Sequence, residues 1–311
     1  MNQHNTPLAH RIEELIKQQT EVGIVADYFA SNNQHPNIYY VPIGSDNTFI
    51  CQVNPMRDPA KRAVLKKGKK GCFLCEENMP DEEIGIQLDQ NWKMYPNPRP
   101  YEKNHTVLVL MKTENYHPFQ IIDNKDYLTK AIDIIWQLGY EEKRSDFNLT
   151  FNSIKAGASS RHFHYQIFEC DLPILNFPVD FKKDGPVKVG DIPEYPASVY
   201  VIEGKDKGVI SSEVWLILDK LNTYGNRYIP YVILFKVVDG NIRVYIFPRN
   251  AEIPADFDSD LINTKFGVCE MSGMTIVYND SMAKKIDLKL FEKSLKAASN
   301  RSILKAINSF D

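Results

Sequence analysis

The sequence predicts an α+β protein built in two halves, each pairing strands with helices. Three observations carry this. The chain has 311 residues, enough for two domains of about 100–200 residues each. Its first half alternates short β-rich runs with one helical-period run. Its second half holds a strand, an Asp239-Gly240 turn, a second strand and a late amphipathic helix.

The elements follow in chain order. Leu8, Ile12, Leu15 and Ile16 recur at helical spacing and predict a helix over 7–20. Ser31 to Pro42 is polar and Pro-containing and reads as a connection, so residues 1–44 form an N-terminal helix and its linker. Phe49 to Asn54 reads as a strand. Six of the ten residues 61–70 are basic, which suits a solvated loop or an anion-attracting rim. His105 to Met111 is a short apolar run and predicts a buried strand. Leu128, Ile132, Ile135 and Leu138 predict a helix over 121–139. Strands follow at 147–154 and 162–169, joined by the loop 155–161.

Residues 171–196 are rich in Pro, Asp and Gly and mark the boundary between domains at 45–175 and 176–311. Beyond it come a helix at 212–222, two strands flanking Asp239-Gly240 and a final helix over 286–306. The two halves match in the kind of element they use, although no sequence repeat links them.

Composition narrows the function. Lys plus Arg is 37 and Asp plus Glu is 40, a net charge of −3, which excludes a general polyanion binder. The 43% hydrophobic and 25% charged fractions are those of a folded domain. No apolar run approaches the roughly 18–20 residues of a membrane span, and the N-terminus lacks the apolar core of a signal peptide. Five cysteines, an odd and low number, point to reduced thiols and a cytoplasmic protein rather than a disulfide scaffold. What is left is a soluble enzyme or binding protein.

The chemistry concentrates at His162-Phe163-His164-Tyr165-Gln166. In a strand, His162, His164 and Gln166 share one face, and Phe163, Tyr165 and Ile167 share the other. Either the polar face meets solvent with two incidental histidines, or it meets a ligand, since burying it without partners is costly. The loop before it, Lys155-Ala156-Gly157-Ala158-Ser159-Ser160, favours the ligand. Small residues let backbone N–H groups approach an anion, and hydroxyls add donors. A phosphate suits such a loop. An imidazole beside it can attack phosphorus, and Gln166 can donate to a phosphate oxygen.

Cys72-Phe73-Leu74-Cys75 places two soft ligands at zinc spacing. Two buried thiols or a redox pair remain open, although the redox reading lacks its usual βαβ start. A metal needs two further ligands. Among the seven histidines, His117 after the strand at 105–111 and His162 at the start of the polar strand are each candidates to converge with the thiolates, and the spacing does not choose between them.

This ordered set resembles the histidine-triad (HIT-like) superfamily in its large two-domain branch. The set comprises the Cys72-Cys75 pair, Asn97-Pro98 leading to His105, then His117, then Gly157-Ala158-Ser159 before His162-x-His164-x-Gln166. That branch includes galactose-1-phosphate uridylyltransferase, diadenosine tetraphosphate phosphorylase and GDP-galactose phosphorylase. The sequence is most similar to a group within it defined as a domain of unknown function. Gln52 to Arg57, Cys72 to Asn78 and Phe247-Pro248-Arg249 support the likeness, which runs from about residue 45 to about 280.

The resemblance implies two related domains, each a mainly antiparallel sheet packed by helices. It implies that His164 is the nucleophile carrying a covalent nucleotidyl group and that Gln166 contacts the transferred phosphate. Asn152, Ser159 and Ser160 would orient phosphate, Gly157 would shape the same loop, and Asn97 would line the nucleotide pocket. Arg249 would meet an anion or support packing. Cys72, Cys75, His117 and His162 would hold a structural zinc.

The implied activity is nucleotidyl transfer or phosphorolysis on a nucleoside diphosphate sugar or dinucleoside polyphosphate, with phosphate or a sugar phosphate as acceptor. Relatives of this branch are often homodimers. Phe163 and Tyr165 stand where the uridylyltransferases carry Pro and Gly, which turns the expectation toward phosphorolysis. Two rivals stay open: hydrolysis by the same fold, and a zinc-stabilised nucleotide-binding protein without catalysis.

Overall fold

The computed structural model describes residues 6–26, 37–43, 47–55, 58, 71–113, 116–250 and 265–307. The basic stretch 61–70 lies outside the described residues. Ten strands form one sheet in the order β3-β4-β5-β7-β6-β11-β12-β10-β9-β8. In chain order these are β3 (Ile86–Gln87), β4 (Trp92–Pro96), β5 (Lys103–Leu110), β6 (Phe147–Asn152), β7 (His164–Glu169), β8 (Asp180–Lys183), β9 (Val187–Asp191), β10 (Tyr200–Gly204), β11 (Tyr231–Val238) and β12 (Asn241–Pro248).

The first five in sheet order come from the first half of the chain and the last five from the second. The expected pairing of two antiparallel halves therefore takes the form of one continuous sheet. The halves join where β6 runs antiparallel to β11, from Leu149 opposite Phe235 to Asn152 opposite Val232. The hairpin β11–β12 turns at Asp239-Gly240, where both residues have positive φ as such a two-residue turn needs. Residues 171–196 carry a 3-10 turn and the strands β8 and β9.

A second sheet of three strands contains β1 (Asn37–Ile43), β2 (Asn47–Val53) and β13 (Met274–Val277). Residues 37–42, expected as connection, are a strand paired antiparallel to β2. Ile38, Tyr39, Tyr40 and Val41 favour extended backbone, and Pro42 is tolerated because β1 lies at an edge.

Helices cover both faces. On one face lie α1 (Leu8–Glu21), α2 (Lys125–Trp136) and α3 (Lys207–Thr223). They bury Phe163, just before β7, and Tyr165 and Ile167 of β7 in one apolar core with Phe151 and Phe235. Glu142 accepts from the first two helical N–H groups of α1, at Leu8 and Ala9, across more than a hundred residues. Asn124 and Asp206 cap α2 and α3.

The other face packs on β2, β13, α4 (Val268–Met271), α5 (Asp280–Ala283) and α6 (Leu288–Ala298), burying Phe168, Tyr245 and Phe247. The helix expected over 286–306 is two helices, α6 and α7 (Arg301–Ile307). Ser299 between them bridges to Arg249 and Asn300 donates to the Pro248 carbonyl, so sheet pairing interrupts a helical sequence.

Candidate active site

Strand β7 presents the predicted alternation. Its aromatic face enters the α2 side core, while His164 and Gln166 point to the opposite face. That face is not open to solvent: His164 is only 4% exposed. The His164 Nδ1–H donates to the His162 carbonyl at 2.7 Å. This bond fixes the tautomer and leaves the lone pair on Nε2, which has no hydrogen-bond partner among the described residues. Burial pushes the His164 pKa down to about 4, against the pull of the His162 carbonyl, so the ring is neutral near pH 7. A neutral, oriented imidazole with a free nitrogen is equipped to act as a nucleophile.

Gln166 sits one β-step further on. Its Oε1 lies 2.9 Å from His105 Nε2 and accepts from the Tyr101 hydroxyl at 3.2 Å. The Tyr101 backbone N–H points at His105 Nδ1 at 3.4 Å, so the His105 proton is on Nε2 and faces Gln166. With its oxygen held this way, the Gln166 amide N–H groups have no hydrogen-bond partner among the described residues. Asn97 Nδ2 comes within 3.1 Å of the same His105 nitrogen, and Asn97 Oδ1 accepts from the Arg99 backbone. His105 and Gln166 thus form a hydrogen-bonded pair across β5 and β7, with Asn97, just past the end of β4, beside them. Neither His105 nor Tyr101 was a predicted site residue. His105 opens a buried strand, but only the β5–β7 pairing shows which residue it meets.

The predicted phosphate loop divides. Ser159 is exposed, and Ser160 accepts from the His162 N–H at 3.1 Å. Gly157 has φ of +95°, and a Cβ there would lie 2.8 Å from Gly267 Cα. Asn152 Oδ1 accepts from the Val268 N–H at 2.9 Å, so part of this side chain caps α4 instead of facing solvent. Arg249 is 1% exposed and donates to the carbonyls of Ala298 (3.2 Å) and Phe266 (2.6 Å), contacts that suit the packing alternative.

Cys72, Cys75, His117 and His162 converge. One ligand atom from each lies within 4.8 Å of every other. Cys72 Sγ and Cys75 Sγ are each 3.5 Å from His162 Nδ1, and Cys75 Sγ is 3.5 Å from His117 Nε2. A tight turn, with Cys75 N–H donating to the Cys72 carbonyl, aims both thiols the same way. His162 Nε2–H donates to the Leu110 carbonyl at 2.8 Å, which directs the Nδ1 lone pair at the thiols. Burial holds His162 below its ordinary pKa and therefore neutral, as a ligand must be. Burial, with Cys72 adding to it, pushes the Cys75 thiol up to about 11. This set can hold a metal ion.

Residues 17–169 match the family model described as "Domain of unknown function (DUF4922)". The chain superposes on the crystal structure of yeast Ap4A phosphorylase in complex with AMP at a TM-score of 0.67 and 15% identity, covering 95% of this chain and 97% of that one. The fold is histidine-triad-like. The complex of the same yeast enzyme with Ap4A gives a TM-score of 0.65 and 15% identity, covering 94% of this chain and 97% of that one. The GALT-like protein of Arabidopsis thaliana is also similar, at a TM-score of 0.41 and 15% identity, covering 82% of this chain and 100% of that one. No curated protein matches the sequence. Among the described residues, no helix of this histidine-triad-like fold is long and apolar enough to cross a membrane.

Proposed function

We propose that the protein is a nucleotidyltransferase of the phosphorylase type, acting on a dinucleoside polyphosphate or a nucleoside diphosphate sugar through a nucleotidyl-histidine at His164. The observation that carries this is the His164 ring, with Nδ1–H engaged by the His162 carbonyl at 2.7 Å and Nε2 unpartnered among the described residues. The Nε2 lone pair attacks the α-phosphorus and an N–P bond forms. The bridging P–O bond breaks, and its electron pair leaves on the polyphosphate or sugar phosphate. A phosphate oxygen then attacks the same phosphorus, the N–P bond breaks, and neutral His164 is restored. The leaving group is already a stable anion, so the protein chiefly supplies alignment and donors.

Gln166 is the donor to the transferred phosphate, its oxygen being held by His105 and Tyr101. Ser159 and Ser160 add hydroxyl donors from the loop before β7. Asn97 borders the nucleotide, and Asn152 orients phosphate with its remaining amide N–H groups. Likeness to yeast Ap4A phosphorylase supports the dinucleoside polyphosphate among the two substrate classes.

The ion at the Cys/His set is zinc. A tetrahedral zinc, with about 2.3 Å to sulfur and about 2.0 Å to nitrogen, spaces adjacent S and N ligands about 3.5 Å apart, as these are. Its contribution when bound is structural: it pins the start of the strand that presents His164.

The test is intact mass after mixing with Ap4A and a panel of nucleoside diphosphate sugars, with and without phosphate. A covalent nucleotidyl adduct, absent in His164→Asn, is expected, with phosphate converting it to a nucleoside diphosphate. Full turnover by His164→Asn sinks the mechanism. Turnover unaffected by phosphate makes the protein a hydrolase, and tight binding with no adduct makes it a nucleotide-binding protein.

A further inference from the structure

A gap in the sheet lies beside the nucleophile, and one side chain fills it. The β6–β7 ladder pairs Asn148 with Phe168 and Thr150 with Gln166, so Asn152 and His164 would form its next pair. They do not pair. The segment Pro118–Gln120 takes the place of β6 beside residues 161–163. Phe163 N–H donates to the Pro118 carbonyl, and Gln120 N–H to the Arg161 carbonyl. Between the departing strand and the arriving segment, the inner backbone edge of His164 would be bare.

The Gln120 amide occupies that place. Its Oε1 accepts from the His164 N–H at 2.7 Å. Its Nε2 donates to the His164 carbonyl and to the Asn152 carbonyl, each at 2.9 Å. Gln120 is fully buried. Its orientation is settled by the partners, since one N–H needs an acceptor and two carbonyls need donors. A primary amide of this length is the side chain that does both.

We infer that Gln120 is a positioning residue that seats the nucleophile, standing in for a strand where the sheet opens at His164. The inference rests on the nucleotidyl-histidine reading. Splaying β6 from β7 leaves the His164 ring a place beside the phosphate loop. The Gln120 amide keeps the backbone of His164 from following, and so holds Nε2 on its line of attack. A displacement of about 1 Å there costs on the order of 100-fold in rate.

The experiment compares wild type with Gln120→Glu and Gln120→Met, using Ap4A or whichever panel nucleotide labels wild type. A carboxylate at 120 keeps the acceptor but sets charge against two carbonyls, and Met supplies neither group. The labelling rate of His164 is expected to fall about 100-fold. Half-saturating nucleotide should stay within about threefold and bound metal should be unchanged, a split that general loosening of the fold would not produce. A folded variant that labels at the wild-type rate, or one in which only half-saturation moves, overturns the seating role. If wild type labels with no nucleotide, the enzymatic reading falls first and the seating role with it. If neither variant folds, amide exchange on wild type decides. A His164 N–H as protected as the ladder amides of β7 supports the inference, and rapid exchange overturns it.

Discussion

His162 Nδ1 lies 3.5 Å from the Cys75 sulfur, while Nε2 of the same ring donates to the Leu110 carbonyl at 2.8 Å. One imidazole therefore ties the turn at 72–75 to β5 and to the entrance of β7. Cys75→Ser replaces a soft ligand by a weaker one. Elemental analysis is expected to show about one zinc per chain in wild type and far less in the variant, with a lower melting temperature. Chelation of wild type should lower its melting point in the same direction. A metal-free wild type that melts no lower than the zinc-loaded chain would return Cys72 and Cys75 to plain buried thiols.

Gln166 is tested by an isosteric change. Gln166→Glu keeps an oxygen for His105 and Tyr101 but replaces the amide donor with a second oxygen facing the phosphate. Losing one preorganised donor to a developing phosphate charge typically costs about 100- to 1,000-fold in rate. The expectation is a turnover loss of that order with an unchanged melting curve. Steady-state kinetics alongside calorimetry would check it, and a variant within tenfold of wild type would remove Gln166 from the phosphate.

How much of this was legible in the sequence depends on the range of the interaction. The face carrying His164 and Gln166 was legible because strand alternation is local. The hairpin at Asp239-Gly240 was legible for the same reason. The metal set was reachable only through resemblance, since nothing in the spacing says that His117 and His162 meet the thiols. The roles of Gln120, Tyr101 and His105 were not legible, although His105 stood in the motif set. Their roles arise from which strand lies beside β7 and where β6 leaves it, and no short-range pattern encodes that. The break between α6 and α7 was hidden too, because amphipathic periodicity runs through it while the bridge from Arg249 to Ser299 stops the helix.

Glu102 predicts a pH dependence of stability away from the metal. Burial pushes its pKa up to about 7, against hydrogen bonds from Cys170 and Gln52. Gln52 donates to it at 2.8 Å. The folded protein therefore holds a proton here that the unfolded chain has released. The stability tied to that proton is complete below the ordinary value of 4.5 and is lost as pH rises through about 7. Glu102→Gln should melt close to wild type at pH 4.5. By pH 8 it should be more stable, by on the order of 2 kcal/mol. Equal melting temperatures for the two at pH 8 would show that the carboxylate is already solvated there.

Gly157 predicts a coupling between the two halves at the loop before the nucleophile. Its φ of +95° is one that L side chains rarely adopt, and a Cβ would sit 2.8 Å from Gly267 Cα and 2.9 Å from the Phe266 carbonyl. Both obstacles are backbone, so neither can swing aside as a side-chain tip would. Relief requires moving the segment 266–268, whose Val268 N–H is held by Asn152 and whose Phe266 carbonyl is held by Arg249. Gly157→Ala therefore strains a contact that crosses from one half of the chain to the other. The expected loss is roughly 2–3 kcal/mol, a melting temperature lower by about 4–10 °C. Gly267→Ala tests the same contact from its other side. Its Cβ would meet the tip of the Asn152 side chain at 3.1 Å, a longer approach than 2.8 Å and to a side chain instead of backbone, so the expected effect is smaller. The order of the two losses is the test. If Gly267→Ala costs more than Gly157→Ala, the constraint at this junction lies in the Asn152 cap and not in the backbone contact between the two glycines.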